Sequence, residues 1–437
     1  MSFAIHRHWE EAFGAFRDWY RVRDHFDLIN GYPFKSENFN ADGIGRPLVR
    51  IRDLLSDDLP TFFDGDDGKD IVVNDGDIVI GMDGDFNSVT WTKGEALLNQ
   101  RVCALRAKDH SGVDSRLLGY QIPISLKIIN DLTPWSTVKH LSSLDVLSLR
   151  FPKFDLATQR QIADFLDRET ARIDLLIEKK QRLMALLGER VNSLITQVTM
   201  HGMNGEDHTD TGIDWWSRAP TSWEVHRIAS LFRESKEMGE EGLPVLSVSI
   251  NWGISDRELA DEDRDRIVNL IEDKTSYKRV RPGDLVYNMM RAWQGAFGVA
   301  KVDGLVSPAY VVARPKRGLH SAYFEHLLRT PICVEEFRRA SKGIADFRQR
   351  LYWEHFRQVQ LVLPTFEEQV EIAAYIEREQ AQITPTISKT QESTERLKEY
   401  RSALITAAVI GQIDVQTYAQ SSIPYRRLDA IQEEMGA

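Results

Sequence analysis

Apolar residues return at a three-four spacing along Phe151–Gly202, where Ile162, Leu166, Ile173, Leu176, Leu183, Leu187, Val191, Leu194 and Val198 fall on one stripe. The stretch has no proline after Pro152 and no glycine before Gly188. Such a pattern predicts a long helix whose apolar face needs a partner. From Gln159 to Met200 it would run roughly 60 Å at about 1.5 Å per residue. Glu169, Lys180 and Arg190 interrupt the seam. The same pattern begins again at Leu363. A shift of 210 positions carries Gln159 onto Gln369, Ile162 onto Ile372, Ala163 onto Ala373, Ile173 onto Ile383 and Leu194 onto Leu404, with Ile376 and Leu397 on the same stripe. Thr365 followed by Glu368 forms a capping-box pattern at its start. Pro385 stands where the first copy has Leu175, and an interior proline costs about 3 kcal/mol and kinks or breaks a helix. The second copy is therefore expected to start near Phe366, to bend or break near Pro385, and to resume to about Ala408.

A repeat period above 200 residues is too long for a solenoid and implies duplication of a whole unit. The expected division is 1–150 globular, 151–202 helix, 203–362 globular, 363–413 helix and 414–437 a polar tail. In the first globular part, helical material (Trp9 to Phe26) precedes a turn-rich stretch, Asp57 to Asp70. Ile71–Val73 and Ile78–Ile80 are expected as strands around a hairpin-like turn at Asn74–Asp77. The loop GMDGDFN (Gly81 to Asn87), strand-like residues through Trp91, and ALLNQRVCALR (Ala96 to Arg106) follow. In the second part, RPGDLVY (Arg281 to Tyr287) places Pro282 and Gly283 at the centre of a type II turn. Gly76–Val79 aligns with Gly283–Val286 at a shift of 207, and the strand ending at Arg106 with the one ending at Arg314 at 208. Between the matched points the two halves diverge: GMDGDFNSVTW stands opposite NMMRAWQGAFG. A kept scaffold with exchanged loops suits two halves that recognise different things.

The chain has 437 residues and a net charge of −11, which argues against a general polyanion binder and places any nucleic-acid contact on local basic surfaces or on partners. Cys103 and Cys333 offer neither metal spacing nor a disulfide framework, as a reducing cytoplasm would have it. The opening MSFAIHRHWEEAF is too polar for a signal peptide, and no apolar run reaches the roughly 20 residues of a membrane span. The sequence has no phosphate loop, no complete dinucleotide fingerprint, no HExxH and no Asn-Pro-Pro-aromatic tetrapeptide. Asp64, Asp66, Asp67 and Asp70 supply carboxylates for a metal or glycosidase site, although aspartate-glycine runs are usually solvated turns.

Two segments oppose the acidic average. Lys274, Lys278, Arg279, Arg281 and Arg291 form one, and Arg338, Arg339, Lys342, Arg348 and Arg350 the other, with Tyr277, Tyr287, Trp293 and Phe347 interleaved. Arginine forks pair with guanine edges or grip phosphates, and lysine mainly contacts phosphates. In the first half the polar loop side chains are Asp83, Asp85, Asn87, Asn99, Gln100 and Arg101, among which amides can pair bidentately with adenine.

With these features in order, the chain resembles the specificity subunit of type I restriction-modification systems over nearly its whole length. The likeness rests on Gln159–Ile162 and Glu368–Gln369 at the helix starts, Ala171–Asp174, Ala403–Thr406, GIDWWSRAPTSWEVHRI (Gly212 to Ile228), and the loops GMDGDFN with ALLNQRVC and VRPGDLVYNMMRAWQG with VSPAY. The resemblance implies an α/β (α+β) fold in which two target-recognition domains are separated by two long antiparallel coiled-coil helices with pseudo-twofold symmetry. It implies a non-catalytic chain without a cofactor of its own, each domain reading one half of a split asymmetric target in double-stranded DNA. The expected partners are two adenine methyltransferase subunits and ATP-dependent restriction/translocase subunits, which would hold S-adenosylmethionine, ATP and Mg. On this view Asp83, Asp85, Asn87, Trp91, Asn99, Gln100 and Arg101 face DNA in the first half. Lys278, Arg279, Arg281, Asn288, Arg291, Trp293, Gln294, Ser307, Lys342, Arg348 and Arg350 do so in the second. Ile162, Leu166, Ile173, Leu176, Leu187, Leu194, Ile372, Ile376, Ile383, Leu397 and Leu404 form the spacer and docking seam. The alternative is a coiled-coil adaptor that binds protein or RNA without reading a DNA sequence.

Overall fold

The computed structural model describes residues 18–420 except 66–70, 110, 133–138, 204, 206, 241, 251–252, 260–275, 317 and 344–348. The chain divides into two compact units, Met1–Gln181 with Thr390–Ala437, and Arg182–Lys389. Neither boundary falls between a globular part and a helix: both fall inside the long helices, Leu156–His201 and Phe366–Val409.

The first unit is built on a four-stranded antiparallel sheet of β1 (Phe26–Asn30), β2 (Ile78–Gly81), β3 (Ser88–Thr90) and β4 (Val102–Ala107), ordered β1-β4-β2-β3. Successive side chains of a strand point to opposite faces, and here both faces are apolar. Ile78, Ile80, Cys103 and Leu105 enter one core; Val79, Val102 and Ala104 enter another, shared with Val49, Val73, Ala96 and Leu98 of a second sheet. The first core is closed by α1 (Ser115–Leu132), by Ile162, Leu166 and Ile173 of the first long helix, and by Leu397 and Leu404 of the second. Helix α1 lies close on β3: a Cβ at Gly119 would collide with Thr90 Oγ1. Asp174 of the first long helix accepts from Arg401 Nε of the second at 2.8 Å, and Phe165 stacks edge-on against Tyr418 in the short helix Val415–Gln420 that follows it.

The second unit repeats the plan with β5 (Phe232–Ser235), β6 (Leu285–Asn288), β7 (Phe297–Val299) and β8 (Tyr310–Pro315), ordered β5-β8-β6-β7. Leu285, Tyr287, Val311 and Ala313 enter a core with α2 (Ser321–Leu328), Val198 and Met200 of the first long helix, and Ile372 and Ile376 of the second. Val286 and Val312 enter the core on the other face. Helix α3 (Pro331–Ala340) follows, capped by Thr330.

Several local expectations change. The material from Trp9 to Phe26 is not one helix where it is described: Trp19–Arg21 is a strand paired with Arg150–Pro152, Val22–His25 is one helical turn, and Phe26 begins β1. Val72–Val73 and β2 do not pair across the turn at Asn74–Asp77; the first pairs with Ala96–Leu97, the second with β3 and β4. The turn at Arg281–Asp284 is as expected, with Gly283 at φ +90° and Asp284 N–H donating to Arg281 O at 2.9 Å. The second long helix continues through Pro385 without a break. Its ring is exposed, and burial of Ile372, Ile376, Leu397 and Leu404 on either side offsets the lost hydrogen bond. Along the seam, Leu176, Leu187, Leu194 and Ile383 are half-buried, while Leu183 is exposed.

Candidate nucleic-acid interface

The two units share more than a strand order. In the first, Asp77 is buried and accepts from Arg106 Nε (3.0 Å) and NH2 (2.6 Å) and from Asn74 N–H (2.8 Å). In the second, Asp284 accepts from Arg314 Nε (3.0 Å) and NH2 (2.8 Å) and from Arg281 N–H (3.0 Å). Hydrogen bonding to the carboxylate raises the pKa of both arginines. At each helix start a buried glutamine closes a second joint. Gln159 accepts from Asp114 N–H and donates to Phe154 O; Gln369 accepts from His320 N–H and donates to Pro364 O. These buried groups are satisfied by fixed partners, so each holds its neighbours in one geometry.

Three loops meet beyond the end of β2 and, in the same way, beyond the end of β6. In the first unit, Met82 N–H donates to Arg101 O at 2.9 Å, and Leu141 N–H donates to Met82 O at 2.7 Å. In the second, Met289 N–H donates to Ala309 O at 3.4 Å, and Leu351 N–H donates to Met289 O at 2.9 Å. One backbone framework therefore presents two sets of side chains.

In the first unit Asp85, Asn87, Gln100 and Arg101 are exposed. Asn99 is half-buried, its Oδ1 accepting from Gln100 N–H. Asp83 meets His140 Nδ1 at 2.6 Å and Arg101 Nε at 3.5 Å. Phe86 and Arg101 both have positive φ, +53° and +72°, a conformation that favours glycine. His140 was not legible as a member of this cluster, because its sequence neighbourhood, VKHLSS, carries no pattern and only folding brings it to Asp83.

In the second unit the loops are basic. Arg291, Lys342 and Arg350 have no carboxylate partner among the described residues, and Gln294 is exposed. Lys342 and Arg350 face each other through paired backbone hydrogen bonds. Arg338 stacks over the Trp293 ring at 5.4 Å, and Trp293 Nε1 donates to Met290 O. Ser307 is half-buried and its Oγ accepts from Ala309 N–H. Arg348, with Phe347, lies outside the described residues.

Other candidates are tied into the scaffold. Trp91 is fully buried and donates to Gly94 O, because its ring fills the core between the two sheets of the first unit. Asn288 is buried, its Oδ1 holding Met290 N–H. Lys278 is half-buried and donates to Tyr310 O, and burial lowers its pKa. Arg279 pairs with Glu240 and Asp303, and Arg281 with Glu237. Arg314 and Arg281 together hold the Glu237 carboxyl below its usual range. Tyr277 and Tyr287 are core residues. Cys103 and Cys333 are free and buried, and burial pushes both thiols up to about 12. Asp64 is exposed, and Asp66, Asp67 and Asp70 lie outside the described residues. No helix among the described residues is long and apolar enough to cross a membrane.

Residues 18–185 match the type I restriction modification DNA specificity domain. Over 414 residues the chain is 26% identical to the Type I restriction enzyme EcoBI specificity subunit of Escherichia coli, covering 90% of this chain and 86% of that one. The chain is thus similar to a type I restriction enzyme specificity subunit over most of its length, and its first part matches that specificity domain. The fold is also similar to a chain from a solved structure described as "Structural basis underlying complex assembly and conformational transition of the type I R-M system". The TM-score is 0.57 at 16% identity, over 91% of this chain and 98% of that one.

Proposed function

We propose that this chain is a specificity subunit, each unit of which reads one half of a split, asymmetric DNA target through its three-loop cluster, while the two long helices fix the gap. The observation that carries this reading is the repeated backbone framework with exchanged side chains: Met82, Arg101 and Leu141 in one unit, Met289, Ala309 and Leu351 in the other. Two like scaffolds with different loop chemistry suit two different half-sites better than they suit one repeated ligand. Arg291, Lys342, Arg350 and Gln294 supply phosphate and base-edge contacts in the second half; Asp85, Asn87, Gln100 and Arg101 do so in the first. The helices also dock two adenine methyltransferase subunits, to which ATP-dependent restriction subunits attach. S-adenosylmethionine, ATP and Mg belong to those partners, which also bring positive charge to an assembly whose specificity subunit carries −11.

The test is to express the subunit with an adenine methyltransferase subunit and to sequence methylated DNA. A two-part motif with one fixed gap is expected, and Arg291→Ala is expected to weaken recognition of one half without unfolding the chain. Methylation without any sequence preference, or its absence, would leave the loops without a DNA role and favour the adaptor reading.

A further inference from the structure

The first unit's loop cluster keeps an arginine where the backbone favours glycine. Arg101 sits at φ +72°, and its carbonyl is pinned by Met82 N–H at 2.9 Å. The corresponding residue of the second unit, Ala309, is not in that conformation, so the framework itself does not require it. The side chain gains little locally in return. Its Nε lies 3.5 Å from Asp83 Oδ2 and the group is 55% exposed, and exposed ion pairs contribute little to stability. Nor does His140 bind it firmly. His140 Nδ1 lies 2.6 Å from Asp83 Oδ1 and so carries its proton toward that oxygen. The same nitrogen, 3.4 Å from Arg101 NH1, then has no lone pair left to accept with. Asp83 is thus oriented by His140 on one side and holds Nε of Arg101 on the other, while more than half of the Arg101 side chain stays exposed.

We propose that Arg101 is the residue that selects a guanine in the half-site read by the first unit, with Asp83 and His140 as its positioning residues. A guanidinium fork matches the O6 and N7 acceptors of guanine in the major groove, and a neighbouring carboxylate restricts its rotation. Backbone strain clusters at functional sites, and unlike the buried Phe86, which shares the positive φ, Arg101 is exposed. The inference rests on the functional reading given above.

The test uses the assembled methyltransferase, with the sequence of methylated sites and the thermal midpoint of the subunit as readouts. In Arg101→Lys and Asp83→Asn, discrimination is expected to fall roughly tenfold or more at one and the same position of one half-site. The other half-site and the gap stay as they were. Arg101→Gly is expected to lose that discrimination while its midpoint stays level or rises, since glycine relieves the left-handed backbone. An unchanged motif in both Arg101→Lys and Asp83→Asn overturns the proposal. So does an even weakening across all sequences, which is the mark of a phosphate contact, or a midpoint in Arg101→Gly several degrees lower, which would make Arg101 structural. Absence of any two-part motif in the unsubstituted complex overturns the underlying reading instead, and is told apart by that control.

Discussion

The carboxylates of Asp77 and Asp284 each hold a turn and a strand together by accepting from an arginine side chain and from a backbone N–H. Removing the arginine leaves a buried, uncompensated charge, which is the costly way to break such a pair. Arg314→Ala is therefore expected to destabilise the second unit by about 3 kcal/mol, seen as an earlier midpoint in denaturant unfolding. Asp284→Asn with Arg314→Met should be milder than the sum of the single changes; additive losses would show that the two side chains act separately. The sequence made this joint partly visible, since glycine-aspartate before a strand and an arginine closing another recur at nearly the same shift. The role of the other basic residues was hidden for a physical reason. Arg279 and Arg281 look like free cations in a basic segment, but Glu240, Asp303 and Glu237 neutralise them from 39, 24 and 44 positions away. Whether a charge is free depends on the fold, and so does the meeting of Asp83 with His140.

At the scale of elements, what is periodic was legible and what is paired at long range was not. Both long helices follow from the three-four spacing, and the second begins at Phe366 with Thr365 Oγ accepting from Glu368 N–H. By contrast, Trp19–Arg21 becomes a strand only because Arg150–Pro152 lies beside it. Val72–Val73 and β2 look like a hairpin, yet they belong to different sheets. Pro385 shows the limit of local propensity in the other direction, since packing on both sides carries the helix through it. Replacing it by alanine restores a backbone donor and removes the ring clash. Pro385→Ala should therefore stabilise the chain by up to about 3 kcal/mol, measured as a higher thermal midpoint. No change in the midpoint would mean that the surrounding turn is already relaxed around the ring.

At the scale of the molecule, the proposed ruler makes a geometric prediction. Seven residues inserted near Leu186 lengthen that helix by about 10 Å, or roughly three base pairs at 3.4 Å each. The accepted gap between half-sites should change while both half-site sequences stay the same. Altered half-sites at an unchanged gap would mean that the helices do not set the distance.

The position of the unit boundaries has a consequence for synthesis. The second unit is one uninterrupted stretch, Arg182–Lys389, whereas the first joins residues up to Gln181 with residues from Thr390 onward. As the chain leaves the ribosome, Ile162, Leu166 and Ile173 emerge early, but Leu397 and Leu404, which share their core, follow more than 200 residues later. The unit made first is thus the one completed last, and until then its helix holds an open apolar seam. A chain stopped before Thr390 can complete its second unit while leaving its first unclosed.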